Sequence, residues 1–253
     1  RLAWVVAGVP CIWLIGVSFF NFRFHRRYHR FAPAWHCVRR KLVRNILSLG
    51  LQFFLIMVSM LLIFQLINIL LTRELGPLAA AQYNIAFKYF SILNMGFAII
   101  LQPLWPAFTD AFTQKDFGWM NSIRRKLERL WLLCIPAVAV MVLCSGWVYK
   151  IWIKDSIEVP LSLSVAMAVF ILCSTLGNAY MYMINGTGKL RLQLTIYACF
   201  AVIAVPTMIG CCKLWGTEGI LIIPSVVFLT QAAFGRIQLK RLTTGQARGI
   251  WNK

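Results

Sequence analysis

The sequence predicts an all-α, polytopic membrane protein with about seven transmembrane helices. Its 253 residues are 60% hydrophobic, where a soluble domain holds about 45–50% apolar residues even with glycine counted. Long apolar runs follow one another along the chain, each near the ~20 residues a helix needs to cross a bilayer. The connections between the runs alternate between basic and neutral, the pattern left when Lys and Arg are retained on the cytoplasmic side.

The first run, Leu2–Phe22, is apolar between its ends. A basic segment over 23–45 follows, where Arg23, Arg26, Arg27, Arg30, Arg39, Arg40, Lys41 and Arg44 stand without an acid. Phe24, Tyr28, Phe31, Trp35 and Val38 interleave with these charges at roughly helical spacing. The segment therefore reads as an interfacial helix, apolar face in lipid and arginines at phosphates, which Pro33 breaks or restarts. His25 and His29 are four apart, but no third ligand is near, so no metal site is read there.

The second run, Ile46–Thr72, leads to a connection holding only Arg73 and Glu74. The third is Ala79–Gln102; the stretch to Phe112 is too long for one upright span, and Pro103 and Pro106 supply a kink or an end. Thr113–Glu128 is amphipathic, with Phe117, Trp119 and Met120 ahead of Arg124, Arg125 and Lys126, and reads as a second cytoplasmic surface helix. The fourth run, Leu130–Ile151, is nearly all apolar, and its connection balances Lys150 and Lys154 against Asp155 and Glu158.

The fifth run, Val159–Met183, ends at Asn185-Gly186-Thr187-Gly188-Lys189. That stretch lacks the spacing of a phosphate loop, and no strand precedes it, so it reads as a turn whose glycines allow positive φ. The sixth run, Leu192–Cys212, is followed by Lys213 and Glu218; the seventh, Ile220–Gly235, is the shortest. Arg236, Lys240, Arg241, Arg248 and Lys253 make the tail basic. Trp4, Trp105, Trp119, Trp147, Trp152 and Trp215 lie near predicted interfaces, as an aromatic belt would. The resulting organisation is a span over 1–22, the basic segment over 23–45, a six-helix bundle over 46–239 and a basic tail over 240–253. The N-terminus is expected outside and the C-terminus in the cytoplasm.

The net charge of +19 would point to nucleic acid in a soluble protein. Here the charge sits in predicted cytoplasmic loops, so no nucleic-acid partner is expected and anionic membrane lipids are. Most cysteines fall in apolar runs and Cys37 in a reducing compartment, so no disulfide framework is read. The first span begins directly after Arg1, and an odd number of spans fits the portion of a longer transporter; an N-terminal transporter half is the expected missing partner.

Polar groups in lipid are expensive, so those inside the runs should face a cavity or another helix. The second run carries Gln65, Asn68 and Thr72 at i, i+3 and i+7. The third carries Asn84, Lys88, Ser91 and Gln102 near one face, because eighteen residues make about five turns. The fifth carries Ser174, Asn178 and Asn185, with Tyr182 beside them. A single amide of this kind is explained by an interhelical hydrogen bond worth ~0.6–2 kcal/mol; three stripes together favour a shared polar cavity. Lys88 has two readings: a cation facing a water-filled cavity and an anionic substrate, or a lysine snorkelling to the outer surface. Glu74, Asp110, Asp116, Glu128, Asp155, Glu158 and Glu218 all lie at or beyond predicted span ends, so the runs suit anions better than cations. Nothing resembles a nucleophile–base pair or a metal cluster; no enzyme activity, cofactor or metal is expected.

Leu75-Gly76-Pro77 followed by Ala81, Tyr83-Asn84, Ala86 and Lys88 resembles a stretch of the bacterial polysaccharide-export flippases. These form the oligosaccharide-lipid branch of the superfamily that includes the multidrug and toxin extrusion transporters. Pro103-Leu104-Trp105-Pro106-Ala107-Phe108, with Ala111 and Asp116 to Trp119 ahead of Arg124-Arg125, is similar to the segment after their eighth span. Asn185-Gly186 to Gly188-Lys189 resembles their turn between spans ten and eleven. The resemblance covers roughly Leu47–Leu239. It implies a C-terminal portion whose first span is the family's sixth, in a fold of two helix bundles facing a central cavity. The implied activity moves an undecaprenyl-pyrophosphate-linked oligosaccharide across the bacterial cytoplasmic (inner) membrane by alternating access, for polysaccharide or O-antigen biosynthesis. Lys88, helped by Arg73 near the outer mouth, would offset phosphate charge; Asn84, Gln65, Asn68, Gln102 and Asn178 would bond sugar hydroxyls or phosphate oxygens. A multidrug–cation antiporter shares the implied fold but is weakened by the lack of a mid-membrane acid. A membrane-bound glycan transferase or ligase would need a sizeable outer loop, and the predicted outer loops are short.

Overall fold

The structure, a computed structural model, describes residues 11–19, 39–153 and 157–252. The chain divides into two compact units, residues 1–48 and 49–253. In the first unit, residues 11–19 are helical, with Ile12, Trp13, Leu14 and Ile15 exposed. The rest of the first predicted span, most of the basic segment, His25, His29, Pro33, Trp4 and Cys37 lie outside the described residues.

Seven α-helices follow: α1 (Arg40–Glu74), α2 (Pro77–Leu101), α3 (Leu104–Gln114), α4 (Phe117–Ile153), α5 (Leu161–Thr187), α6 (Arg191–Gly219) and α7 (Ile222–Thr243). A 3-10 turn over Gly249–Asn252 ends the described residues. Among the described residues, six helical stretches are long and apolar enough to cross a membrane, α2 and α3 counting as one over Pro77–Gln114. The protein is an all-α polytopic membrane protein. Its outward side chains show why: Leu143 is 84% exposed and Val202 79%, surfaces that only lipid would accept without penalty.

Local chemistry sets the element ends. Gly76 takes φ +90, open to glycine, and Pro77 occupies the first turn of α2, where its missing N–H costs nothing. The Asp116 carboxylate accepts the Trp119 N–H at 2.9 Å and caps α4. α4 then runs unbroken through Pro136 to Ile153. This corrects the expected separate surface helix: Phe117–Glu128 are the first turns of the fourth span, and the break comes earlier, where Lys115 is left-handed. α6 kinks at Trp215 and Gly216, within the predicted sixth connection.

α5 is the hub. In its most apolar window 56% of residues are buried, against 17% in α4 and 22% in α6. It packs on α2, α3, α4, α6 and most extensively on α7. The α5–α7 contact is close because each helix offers a glycine to a ring of the other. A Cβ on Gly177 would lie 2.8 Å from the Phe228 carbonyl oxygen, and one on Gly235 would lie 2.9 Å from Tyr180 Cβ. Between membrane helices, where lipid removes the hydrophobic drive, such approach of small residues supplies the van der Waals attraction. α1 joins the bundle instead through large side chains, Phe64 against Phe170 and Phe228, and Phe53 against Trp105.

Alternating connections meet at opposite ends of the bundle. At one end Gln82 Nε2 donates to the Glu158 carbonyl at 2.7 Å, and the Ser162 hydroxyl donates to Glu218 at 2.5 Å, joining the neutral connections. At the other, Arg236 Nε lies 3.5 Å from Glu128. There too Gln238 Nε2 donates to the Lys189 carbonyl at 3.0 Å, and Lys189 Nζ to that of Asn252 at 3.1 Å. The tail thus folds back on the basic end, with the Arg241 guanidinium 4.2 Å over the Trp251 ring.

Candidate functional site

The polar residues of α1 and α2 form a seam. Asn84 Nδ2 donates to Asn68 Oδ1 at 2.8 Å and to the Ala80 carbonyl at 2.8 Å. Gln65 lies one turn before Asn68, and Lys88 one turn after Asn84; both are exposed. Because the chain reverses at Gly76–Pro77, Gln65 and Lys88 each lie one turn beyond the Asn68–Asn84 pair, away from the turn. Ser91 donates to the Lys88 carbonyl at 2.9 Å, so its hydroxyl is turned back on its own helix.

A second bridge ties α2 to α5. Asn94 Nδ2 donates to Ser174 Oγ at 3.0 Å, one turn from Asn178, which is half-buried. Sequence reasoning passed over Asn94, although it stands three residues beyond Ser91 and continues that stripe. Arg73 and Gln102 stand apart from Lys88 along the helix axis. Arg73, with an 81% exposed side chain, is 3.9 Å from Glu74 at the end of α1. Gln102 is exposed at the C-terminal cap of α2, and fourteen residues separate it from Lys88, roughly 21 Å of helix.

Glu128 forms a cluster that the sequence did not reveal. It accepts hydrogen bonds from Arg124 Nη1 at 2.7 Å and from the Tyr180 hydroxyl, and forms an ion pair with Arg236 Nε at 3.5 Å. Read in sequence as a charge near a span end, it is partly enclosed, its side chain 27% exposed. Among the described residues four amide side chains are also buried: Asn185, Gln193, Gln231 and Gln238. Neither amide atom of Gln193 has a hydrogen-bond partner. Of the two glycines in the Asn185–Lys189 turn, only Gly188 takes positive φ, at +69. Gly186 is helical, and a Cβ there would meet Phe108 Cβ at 2.6 Å. Trp147, Trp152 and Trp215 are exposed. Trp105 and Trp119, expected in an aromatic belt, instead pack on Tyr182 and Phe108.

Residues 3–112 match the family model described as "Polysaccharide biosynthesis protein". That segment holds the Gly76–Pro77 turn and the Asn68–Asn84–Lys88 seam. A protein of Yersinia pseudotuberculosis described as "Putative O-antigen export protein" is 26% identical over 145 residues. The chain is thus similar, over residues 3–112, to polysaccharide-biosynthesis proteins. The aligned stretch is 56% of this chain and 33% of the Yersinia protein, so the chain spans about a third of the relative it matches. No solved structure matches.

Proposed function

We propose that this chain forms the C-terminal part of a flippase that carries a polyprenyl-pyrophosphate-linked oligosaccharide across the bacterial inner membrane. One observation supports this most: a seam of amides and a lysine along two otherwise apolar helices, inside the segment that matches the polysaccharide family. In this reading, 1–22 is a further span, 23–45 lies at the interface, 46–239 is the bundle and 240–253 is the tail. The basic end of the bundle faces the cytoplasm, because Lys and Arg resist translocation.

The roles proposed for each group are these. Lys88 is exposed beside the Asn68–Asn84 pair, so its ammonium offsets pyrophosphate charge as the headgroup passes. Asn68 and Asn84 hold each other and fix the wall. Gln65 offers its amide to glycan hydroxyls, as does Asn178 on α5. Arg73 and Gln102 lie along the same helices on either side, where successive parts of a long substrate would meet them. An N-terminal half supplies the opposing wall, and the two halves rock about the substrate.

The test is Lys88→Ala and Lys88→Arg in the full gene, scored by surface glycan display with protein level held equal. Alanine should cut display at least about ten-fold, the loss of ~1.4 kcal/mol of charge stabilisation, and arginine should retain most of it. Full display with alanine would remove Lys88 from the mechanism.

A further inference from the structure

The basic end of the bundle carries a groove with two chemically distinct parts. Its mouth, a cavity of about 480 Å³, is lined by Arg124, Arg236 and Lys240 together with Asn121, Thr243 and Thr244. Its inner part, about 370 Å³, is walled by Trp131, Leu132, Leu176, Leu229 and Ala232, and shares Arg236 with the mouth. The two parts meet at Arg236, and α4 and α7 line both. On α7, residues 229, 232, 236, 240 and 243 step by three or four along one face; on α4, residues 121, 124, 128 and 131 do the same, and 132 lies four beyond 128. Polarity changes along the groove at Glu128 and Arg236.

The charges at the mouth do not cancel. Three cations face one carboxylate, Glu128, which Arg124 holds at 2.7 Å. Arg236 touches it through Nε at 3.5 Å, and its side chain stays 66% exposed. Thr243 and Thr244 donate their hydroxyls to the Lys240 carbonyl, each at 3.0 Å, so the donors offered to a ligand are the cationic ones. Guanidinium and ammonium groups at a helix–helix groove on a membrane face recognise phosphate. The apolar part, from Leu229 to Arg236, is roughly 10 Å long, the depth of the upper part of an acyl chain.

We infer that this α4–α7 groove binds an anionic phospholipid of the bilayer. The phosphate sits among Arg124, Arg236 and Lys240, and an acyl chain lies over Trp131, Leu132, Leu229 and Ala232. α4 is the least buried of the candidate spans, so the groove opens sideways to lipid. The site is separate from the Asn84–Lys88 seam and does not rest on the transport reading.

Trp131 in the groove wall is the reporter. The full-length protein is placed in nanodiscs containing either brominated phosphatidylglycerol or brominated phosphatidylcholine at equal mole fraction. The quenching of Trp131 is isolated by subtracting the Trp131→Phe protein. Phosphatidylglycerol should quench it more strongly. Arg236→Gln and Lys240→Gln should each lower the relative affinity about five-fold, from ~1 kcal/mol per basic residue near the surface, and Lys240→Arg should preserve it. Equal quenching by the two lipids in the wild-type protein would overturn the inference, even if a variant fails to fold. Reversal of the quenching by millimolar inorganic phosphate, or by an equal fraction of undecaprenyl phosphate, would also overturn it, assigning the groove to a free anion or to the isoprenoid carrier.

Discussion

Gly177→Ala puts the α5–α7 contact to a direct test. The new Cβ would meet Phe228 Cδ1 at 2.7 Å, its carbonyl oxygen at 2.8 Å and its Cβ at 2.9 Å. Two of those three atoms are backbone or Cβ, so no rotamer change relieves them and α7 must move. Overpacking of this kind costs about 1–3 kcal/mol. Alanine also gains helix propensity over glycine, about 1 kcal/mol, which would mask part of the loss. Gly96→Ala supplies the control: Gly96 is helical, exposed and has nothing within 4 Å of an added Cβ. The propensity gain is common to both variants, so their difference isolates the clash. That difference should be about 1–3 kcal/mol, or roughly 2–12 °C in Tm for a chain of this size. Thermal unfolding of purified protein, followed by loss of the monodisperse peak on size exclusion, measures it. Phe228→Ala should not rescue Gly177→Ala, because the carbonyl oxygen and Cβ remain in place. Equal Tm for the two glycine variants, or rescue by Phe228→Ala, would refute the backbone-contact reasoning.

Other expectations follow from the polar pairs. A double-mutant cycle on Asn68→Ala and Asn84→Ala should give a coupling of about 0.6–1.7 kcal/mol, the range for amide bonds between membrane helices; zero coupling would mean the 2.8 Å bond does not persist. Gln193→Leu should leave stability unchanged or raise it by about 1 kcal/mol, because its amide is 1% exposed and unpartnered; a fall in Tm would reveal a bonded water or ligand. Glu128→Ala should lower Tm more than Glu128→Gln, which keeps an acceptor for Tyr180 and Arg124; the opposite order would make the packing volume, not the hydrogen bonds, decisive.

Some of the candidate site was legible before any coordinates. Asn68 and Asn84 stood out because amides are conspicuous in apolar runs, and the structure bonds them to each other across α1 and α2. Asn94 followed the same spacing and could have been found by extending the stripe one step to Ser174's partner. The Glu128 cluster was not legible: Glu128, Tyr180 and Arg236 lie on three helices, and nothing in their spacing announces that they meet. The surface helix expected at Thr113–Glu128 failed for a related reason. Amphipathic spacing shows which residues share a face, but not whether that face continues into the next span.

By itself the sequence determined that the chain is helical and spans a membrane, where most spans run, and that basic connections alternate with neutral ones. Those properties are local: hydropathy sums along a segment, a Gly–Pro pair sets a turn, and Lys and Arg mark one membrane face. Only the tertiary structure decided that Gly186 packs on Phe108 while Gly188 turns, that α5 is the hub, and that α4 and α7 enclose a groove running from cations to apolar wall. These depend on the rotation of each helix about its axis and on how closely the backbones approach. In a bilayer, lipid and neighbouring helices are nearly equally apolar, so hydropathy carries little information about either.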